Sequence, residues 1–106
     1  MIEGISAVTL STHEMPRTVR FYRALGFEVL HGGEESSFTS FRAGTSYLNL
    51  MAQPAGRRWS WWGRVIFYVA DVDALYDRAL AAGYLCVAKI RFCNIDGEGH
   101  QGQVVR

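Results

Sequence analysis

The sequence has no basic surplus and no long apolar run, and both absences restrict its function. Its 106 residues carry 11 Lys and Arg against 10 Asp and Glu, which gives a formal net charge of +1. Nucleic-acid-binding modules are usually clearly basic. No stretch approaches the roughly 18 apolar residues that a membrane-spanning helix needs. We therefore expect neither nucleic acid nor a membrane among the partners.

Cysteine is also scarce, because Cys86 and Cys93 are the only two in the chain. They lack CxxC spacing, and the N-terminal stretch MIEGISAVTL shows no basic segment followed by an apolar one. We therefore expect reduced thiols in a cytoplasmic protein. With 49% hydrophobic residues, the composition is that of one ordinary globular domain.

All three tryptophans lie in the stretch RRWSWWGRVIFYV, residues 57–69. Arginine mixed with aromatic residues is typical of single-stranded nucleic-acid binders and of interfacial helices. However, the GRVIFYV half predicts a β-strand, and Pro54, Gly56 and Gly63 before it suit a loop. The tryptophans are therefore predicted to pack at a joint between two half-domains. This connector is also a candidate wall of a binding site.

The same structural pattern occurs twice, at a fixed distance along the chain. AVTLST predicts a strand, HEMPRTVRFYRALG a helix that Gly26 ends, and FEVL another strand. GRVIFYV, ADVDALYDRALAAG and YLCV repeat that order, with Asp71 as helix N-cap and Gly83 as the stop. Glu14 and Asp71, like Gly26 and Gly83, lie 57 residues apart. We infer an internal duplication.

Each copy is predicted to be a βαβββ module, which gives an α+β fold. In the first copy, SFTSFR and SYLNLMA form a hairpin around the turn AGT. The predicted organisation is one domain, 1–106, with a first module at 1–53, a Trp-rich connector at 54–63 and a second module at 64–106. The two modules are expected to form an open cleft.

The second module is expected to be incomplete. At the same offset a full copy would extend to about residue 109, and the segment after residue 85 matches the first copy poorly. QGQVVR is a weak last strand, because its glycine and polar residues leave few apolar ones. The alternatives are a short exposed strand, a strand from a partner chain, and a truncated or shifted sequence.

The predicted strands separate their side chains into two sets, because alternate residues point to opposite faces. Residues such as Val8, Leu10, Leu48 and Leu50 are expected to cover the helices. The opposite face receives a mixed polar and aromatic set, comprising Ala7, Thr9, Ser11, Tyr47, Asn49, Met51, Arg64, Ile66 and Tyr68. Such a face favours a cleft for a small molecule. The alternative is that it meets another subunit.

Paired βαβββ units that open with AVTLSTHEMPRTVRFYRALGFEV and GRVIFYVADVDALYDRALAAG resemble the vicinal oxygen chelate superfamily. This superfamily includes glyoxalase I, extradiol dioxygenases, fosfomycin-resistance enzymes and bleomycin-resistance proteins. The resemblance covers residues 4–52 and 64–84, and it weakens beyond residue 85. It implies the fold more strongly than any activity, because one fold hosts several chemistries.

The resemblance also implies positions for a divalent metal in the first and last strands of each module. Those positions hold Ala7, Arg64 and Asn49, and either Arg106 by the offset or Gln101 or Gln103 by the glycine turn. None is a carboxylate or an imidazole, and a guanidinium repels a cation. His13, His31 and His100 are scattered over predicted loops, and the turn with Asp96 and Glu98 suits solvent. We therefore expect no metal and no cofactor.

Three functions remain open on these grounds. The first is a small-molecule binding protein that resembles the bleomycin-resistance branch and binds an aromatic or anionic ligand. The second is a metal-dependent lyase or dioxygenase, and the third is a catalytically inert dimeric relic. Family members commonly pair, so we expect a homodimer. The expected ligand-binding residues are Arg64, Tyr68, Tyr47, Asn49 and Trp62, with Trp59 and Trp61 beside them.

Overall fold

The computed structural model describes residues 1–54, 56, 65–84, 86–88, 92–94 and 101–105. Its backbone divides into two compact units, Met1–Arg58 and Trp59–Arg106. The division falls inside the segment predicted as a connector, and most of that segment lies outside the described residues. In the described part of the chain, neither helix is long and apolar enough to cross a membrane.

The first unit has the predicted βαβββ order. Its elements are β1 (Ala7–Thr12), α1 (Met15–Ala24), β2 (Glu28–His31), β3 (Phe38–Ala43) and β4 (Ser46–Ala52). The sheet order is β1-β4-β3-β2, with β1 parallel to β4 and the other pairs antiparallel. Ala43 pairs with Ser46, so the β3–β4 hairpin turns through two residues, and Gly44 adopts a φ of 63° that suits such a turn.

Helix α1 forms because its apolar residues recur at helical spacing and both of its ends are defined. Met15, Val19 and Tyr22 are buried on one face, and a proline in the first turn needs no intrahelical hydrogen bond. At the other end, Gly26 N–H donates to the Arg23 carbonyl and Phe27 N–H to the Tyr22 carbonyl. This pair of bonds is a Schellman motif, which requires the positive φ of Gly26.

The core of the first unit lies between α1 and one face of its sheet. Phe41, Leu48 and Leu50 are fully buried there, and the Tyr22 ring makes a tilted contact with Phe41 at a centroid distance of 5.6 Å. Burial of Tyr22 raises the pKa of its hydroxyl above the ordinary value. A buried 2.7 Å hydrogen bond joins the hydroxyls of Thr12 and Thr18, so these two buried polar groups satisfy one another.

The second unit repeats the order in a shortened form, which confirms the predicted α+β class. Its elements are β5 (Ile66–Tyr68), α2 (Val72–Ala81), β6 (Cys86–Ala88), β7 (Phe92–Asn94) and β8 (Gln101–Val105), and its sheet order is β5-β8-β7-β6. Within the described residues β5, β6 and β7 span three residues each, against six, four and six for β1, β2 and β3. The weak QGQVVR segment supplies β8 from this chain, because its neighbours β5 and β7 both pair with it.

The register of the strands shows how the two modules correspond. Val29 pairs with Phe41, and Cys86, which lies 57 residues after Val29, pairs with Cys93. In both hairpins the register shifts after that pair, between Val29 and His31 and between Cys86 and Ala88. A register shift at the same place in both hairpins favours a common origin, because such interruptions of strand pairing are specific features that related sheets share. This supports the internal duplication.

Candidate functional site

One face of the first sheet, opposite α1, carries a hydrogen-bonded row of polar side chains. Asn49 lies on the central strand β4, with Thr9 and Ser40 as its partners in the register on either side. The Ser40 hydroxyl donates to Asn49 Oδ1 at 2.7 Å, and Asn49 Nδ2 donates to Thr9 Oγ1 at 3.3 Å. We call Thr9, Asn49 and Ser40 the polar row. Because each side chain holds the next, the Asn49 amide is fixed in orientation.

The polar row lies between two rows of larger side chains on the same face. On one side, Tyr47 is 40% exposed and pairs with Ala7 and Arg42. On the other side, Met51 is 41% exposed and pairs with Ser11 and Phe38. Fixed polar groups between exposed aromatic and apolar side chains form a surface that can orient an amphipathic small molecule.

Charge on this face is nearly balanced. Arg42 Nε lies 3.7 Å from Glu28 Oε2, and both side chains are more than half exposed. An exposed pair of this kind contributes little to stability. It does remove most of the net charge from this end of the face, so neutral hydrogen-bonding groups dominate the surface beside Tyr47.

The second sheet presents a different set of residues at the matching positions. Ile66 and Tyr68 alternate with the half-buried Phe67, and Tyr68 is 86% exposed. In the register Gln103 pairs with both Ile66 and Phe92, as Asn49 pairs with Thr9 and Ser40 in the first sheet. The second module therefore places an amide at the same register position but flanks it with apolar residues.

Two of the expected ligand-binding residues lie together on this surface. Tyr47 and Asn49 are neighbours on the same face of β4, and Tyr68 lies on the outer face of β5 in the second unit. Arg64 and Trp62 fall outside the described residues, as do Trp59 and Trp61.

Sequence reasoning did not include Ser40, Phe38 or Arg42 in the site. The alternation in SFTSFR places these three residues on one face, and a two-residue turn at Gly44 fixes their register against β4. That signal was available in the sequence. His31, expected in a loop, is instead the last residue of β2 and pairs with Ser40 at the end of the polar row.

The strand register identifies which residue of the second module corresponds to Asn49, one of the positions at which the resemblance implies a metal ligand. The parallel pairing of β5 with β8 makes Gln103, rather than Gln101 or Arg106, the counterpart of Asn49. Ala7 has no donor atom, and both polar atoms of the Asn49 amide already hydrogen-bond. Within the described ranges, no three His, Cys, Asp or Glu side chains are grouped so that they could hold a metal ion.

Two βαβββ modules, each with its last strand inserted between the first and third, define the paired-module class of the vicinal oxygen chelate fold. The family model of the Glyoxalase/Bleomycin resistance protein/Dioxygenase superfamily matches residues 4–92. The chain belongs to this superfamily. No curated protein matches its sequence significantly.

Several solved structures share this fold at low sequence identity. A possible glyoxalase from Bacillus cereus has 19% identity and a TM-score of 0.74, covering 99% of this chain and 100% of its own. The fosfomycin resistance protein FosX from Mesorhizobium loti has 18% identity and a TM-score of 0.70, covering 99% and 92%. A lactoylglutathione lyase from Agrobacterium tumefaciens has 18% identity and a TM-score of 0.70, covering 98% and 93%. Such identities establish the fold alone.

Proposed function

We propose that this chain is a cytoplasmic small-molecule binding protein of the glyoxalase/bleomycin-resistance type, and that it acts without the family's metal ion. The polar row Thr9–Asn49–Ser40, on an exposed face between Tyr47 and Met51, is the observation that carries the proposal. Its amide and hydroxyls are already oriented by one another. A ligand that hydrogen-bonds to them therefore loses little free energy in ordering the site.

The expected ligand is an amphipathic molecule with an aromatic ring or an acidic group. In the first unit the exposed ring of Tyr47 supplies apolar area with a polar hydroxyl, and in the second unit the exposed ring of Tyr68 offers the same chemistry. Arg64, which the sequence predicts to open the first strand of the second module, comes two residues before β5 begins at Ile66, and its guanidinium would bind a carboxylate with two parallel hydrogen bonds. Trp62, in the connector, would add a further aromatic surface.

A metal-dependent reaction is disfavoured by the chemistry of the donor positions. Alanine cannot coordinate, arginine is a cation, and the two amides are weak neutral donors, so Ala7, Arg64, Asn49 and Gln103 do not fit a divalent ion. We derive no catalytic step through a metal. The competing proposal, a lyase or dioxygenase, is favoured by the names of the similar glyoxalase-type structures.

Elemental analysis of the purified protein separates these two proposals. We expect no stoichiometric Ni, Zn, Fe or Mn. One equivalent of any of these metals, lost when Asp96 and His100 are both replaced by alanine, would support the metal-dependent alternative.

A thermal-shift screen tests the binding proposal directly. Aromatic carboxylic acids, neutral aromatics and divalent metals are added separately, and a bound molecule raises the melting temperature by mass action. We expect a shift with an aromatic acid that Tyr47→Ala reduces. The inert-relic alternative predicts no shift with any compound in the screen.

The acidic group of a ligand is tested at Arg64. Lysine retains the charge but loses the planar fork, so Arg64→Lys is expected to weaken an anionic ligand by about 1–3 kcal/mol. The matched control is Arg17→Lys on the exposed side of α1, which should leave affinity unchanged. Equal affinity of both variants in titration calorimetry would remove Arg64 from the site.

A further inference from the structure

The only two cysteines of the chain are direct partners in the second sheet. Cys86 in β6 and Cys93 in β7 are paired in the antiparallel register, at the position that Val29 and Phe41 occupy in the first module. An apolar pair in one module thus corresponds to a thiol pair in the other. The fold, and not the seven-residue spacing alone, brings the two cysteines to opposite positions of one hairpin.

This placement has the dimensions of a cross-link. Directly opposite residues in an antiparallel pair have Cα atoms about 4.5–5.5 Å apart, within the roughly 4.4–6.8 Å that disulfides span. The corresponding Cβ atoms are about 4.5–5.5 Å apart, slightly more than the roughly 3.5–4.5 Å of a disulfide. By these general dimensions, directly opposite positions of an antiparallel pair are within reach of a disulfide after a small adjustment of the strands.

We propose that Cys86 and Cys93 are a reversible redox site, with two thiols in the reduced protein and a cross-strand disulfide after exposure to a peroxide. One thiolate attacks a peroxide oxygen, which breaks the O–O bond and gives a sulfenic acid. The second thiol then attacks that sulfur and expels water. With hydrogen peroxide, the overall reaction converts two thiols and one peroxide molecule into one disulfide and two water molecules.

The electrons balance in both directions. Oxidation removes two electrons from the two sulfurs and transfers them to the peroxide. A low-molecular-weight dithiol restores the thiols by exchange through a mixed disulfide, and it is itself oxidised to a disulfide. The resting state in a reducing compartment is therefore the dithiol, in agreement with the proposed cytoplasmic location.

The cross-link would join two neighbouring strands of the second sheet. β6 and β7 are paired in antiparallel fashion, with a register shift directly after the Cys86–Cys93 pair. A disulfide between directly opposed residues restricts the unfolded chain and fixes that register. We expect the oxidised protein to melt several degrees higher than the reduced protein.

The test uses the full chain with hydrogen peroxide as oxidant and dithiothreitol as reductant. We expect the oxidised monomer to lose two hydrogen atoms by intact mass. A non-reducing peptide map should link Cys86 to Cys93, both thiols should become unreactive, and dithiothreitol should reverse all three changes. The Cys86→Ser and Cys93→Ser variants should show neither the internal link nor the rise in melting temperature.

Three results would overturn the proposal: both thiols staying reactive in the wild-type protein, oxidation to sulfinic acid without an internal link, or a disulfide only between chains. The wild-type mass and peptide map decide the question even if a serine variant does not fold.

Discussion

Gly32 follows β2 at a place where no other residue fits the backbone. Its φ is 81°, and an added Cβ would overlap the backbone carbonyl of Phe38. The neighbouring Gly33 exchanges two hydrogen bonds with the Thr39 side chain, so this loop has little freedom to move away. The β2–β3 connection depends on this one position.

We therefore expect Gly32→Ala to lower the free energy of unfolding by about 1–3 kcal/mol or more, from strain and overlap combined. Gly44→Ala is the matched control, since Gly44 also has a positive φ but open space around its Cα. It should lose only the left-handed strain of about 1–2 kcal/mol. Equal losses for the two variants in urea denaturation would show that the loop can move aside.

Tyr22 is a buried titratable group, and burial raises the pKa of its hydroxyl above the ordinary 10.0. Below that pH the folded and unfolded chains both keep the proton, so Tyr22 adds no pH dependence. Above it, the unfolded chain releases the proton while the folded chain retains it. Stability must therefore fall as the pH rises above 10.

Tyr22→Phe removes this contribution, so the free energy of unfolding of the variant should fall less steeply above pH 10 than that of the wild type. The two slopes should differ by up to about 1.4 kcal/mol per pH unit. Tyr68→Phe is the control, because the exposed Tyr68 side chain meets water in both the folded and unfolded chains. Urea denaturation at a series of alkaline pH values gives the two slopes. Parallel curves for wild type and Tyr22→Phe would contradict the prediction.

For single residues in a strand, the alternation of the sequence was enough to predict the face of the sheet on which the side chain lies. Tyr47 and Asn49 lie where period-two reasoning placed them. The hydrogen bonds of Asn49 to Ser40 and Thr9 could not be read in the same way, because they depend on a register across three strands. Arg64 and Trp62 remain predictions from sequence alone.

The helices of the two modules end alike but begin differently. Gly83 N–H donates to the Leu80 carbonyl and Tyr84 N–H to the Ala79 carbonyl, so α2 ends in the same Schellman motif as α1. At the start of α2, the Asp71 carboxylate accepts a 3.1 Å hydrogen bond from Ala74 N–H. The Glu14 side chain, at the equivalent place in α1, makes no capping hydrogen bond.

Asp71→Ala should therefore lower the free energy of unfolding by about 1 kcal/mol, within the 0.5–2 kcal/mol range of N-cap losses. Glu14→Ala is the matched control and should cost less, since it removes only a charge near the helix N-terminus. Denaturant unfolding compares the two. A larger loss in Glu14→Ala would show that the observed cap contributes little.

The elements of the first module were readable from sequence, but the later strands of the second were only partly so. The 57-residue offset holds as far as Cys86 and then fails, because Cys93 lies 52 residues after Phe41 and Gln103 lies 54 after Asn49. The β2–β3 connection is thus five residues longer than its counterpart, and the β3–β4 turn two residues shorter. Loops tolerate such length changes, and no residue pattern marks them.

In the described part of the whole molecule, each unit has one four-stranded sheet, taken by itself. Within its own unit, β1 and β2 are the outermost strands of the first sheet, and β5 and β6 are those of the second. The edge of a sheet offers backbone groups to another strand. Together with the family resemblance, this leads us to propose a homodimer.

Light scattering at high micromolar concentration should therefore give twice the mass of one chain. Repeating the measurement after dithiothreitol treatment is the control, since a dimer held by a disulfide would separate. A clean monomer at that concentration would contradict the proposal, and a dimer that survives reduction would support it.

The central position of β4 also affects the order in which the protein can form during its synthesis. β1 leaves the ribosome first, but its hydrogen-bonding partner β4 is the last strand of the first module to emerge. Until β4 has emerged, only α1, β2 and β3 are available to associate with β1. The first module can then close while the second is still being translated, as domains that fold from the N-terminus do.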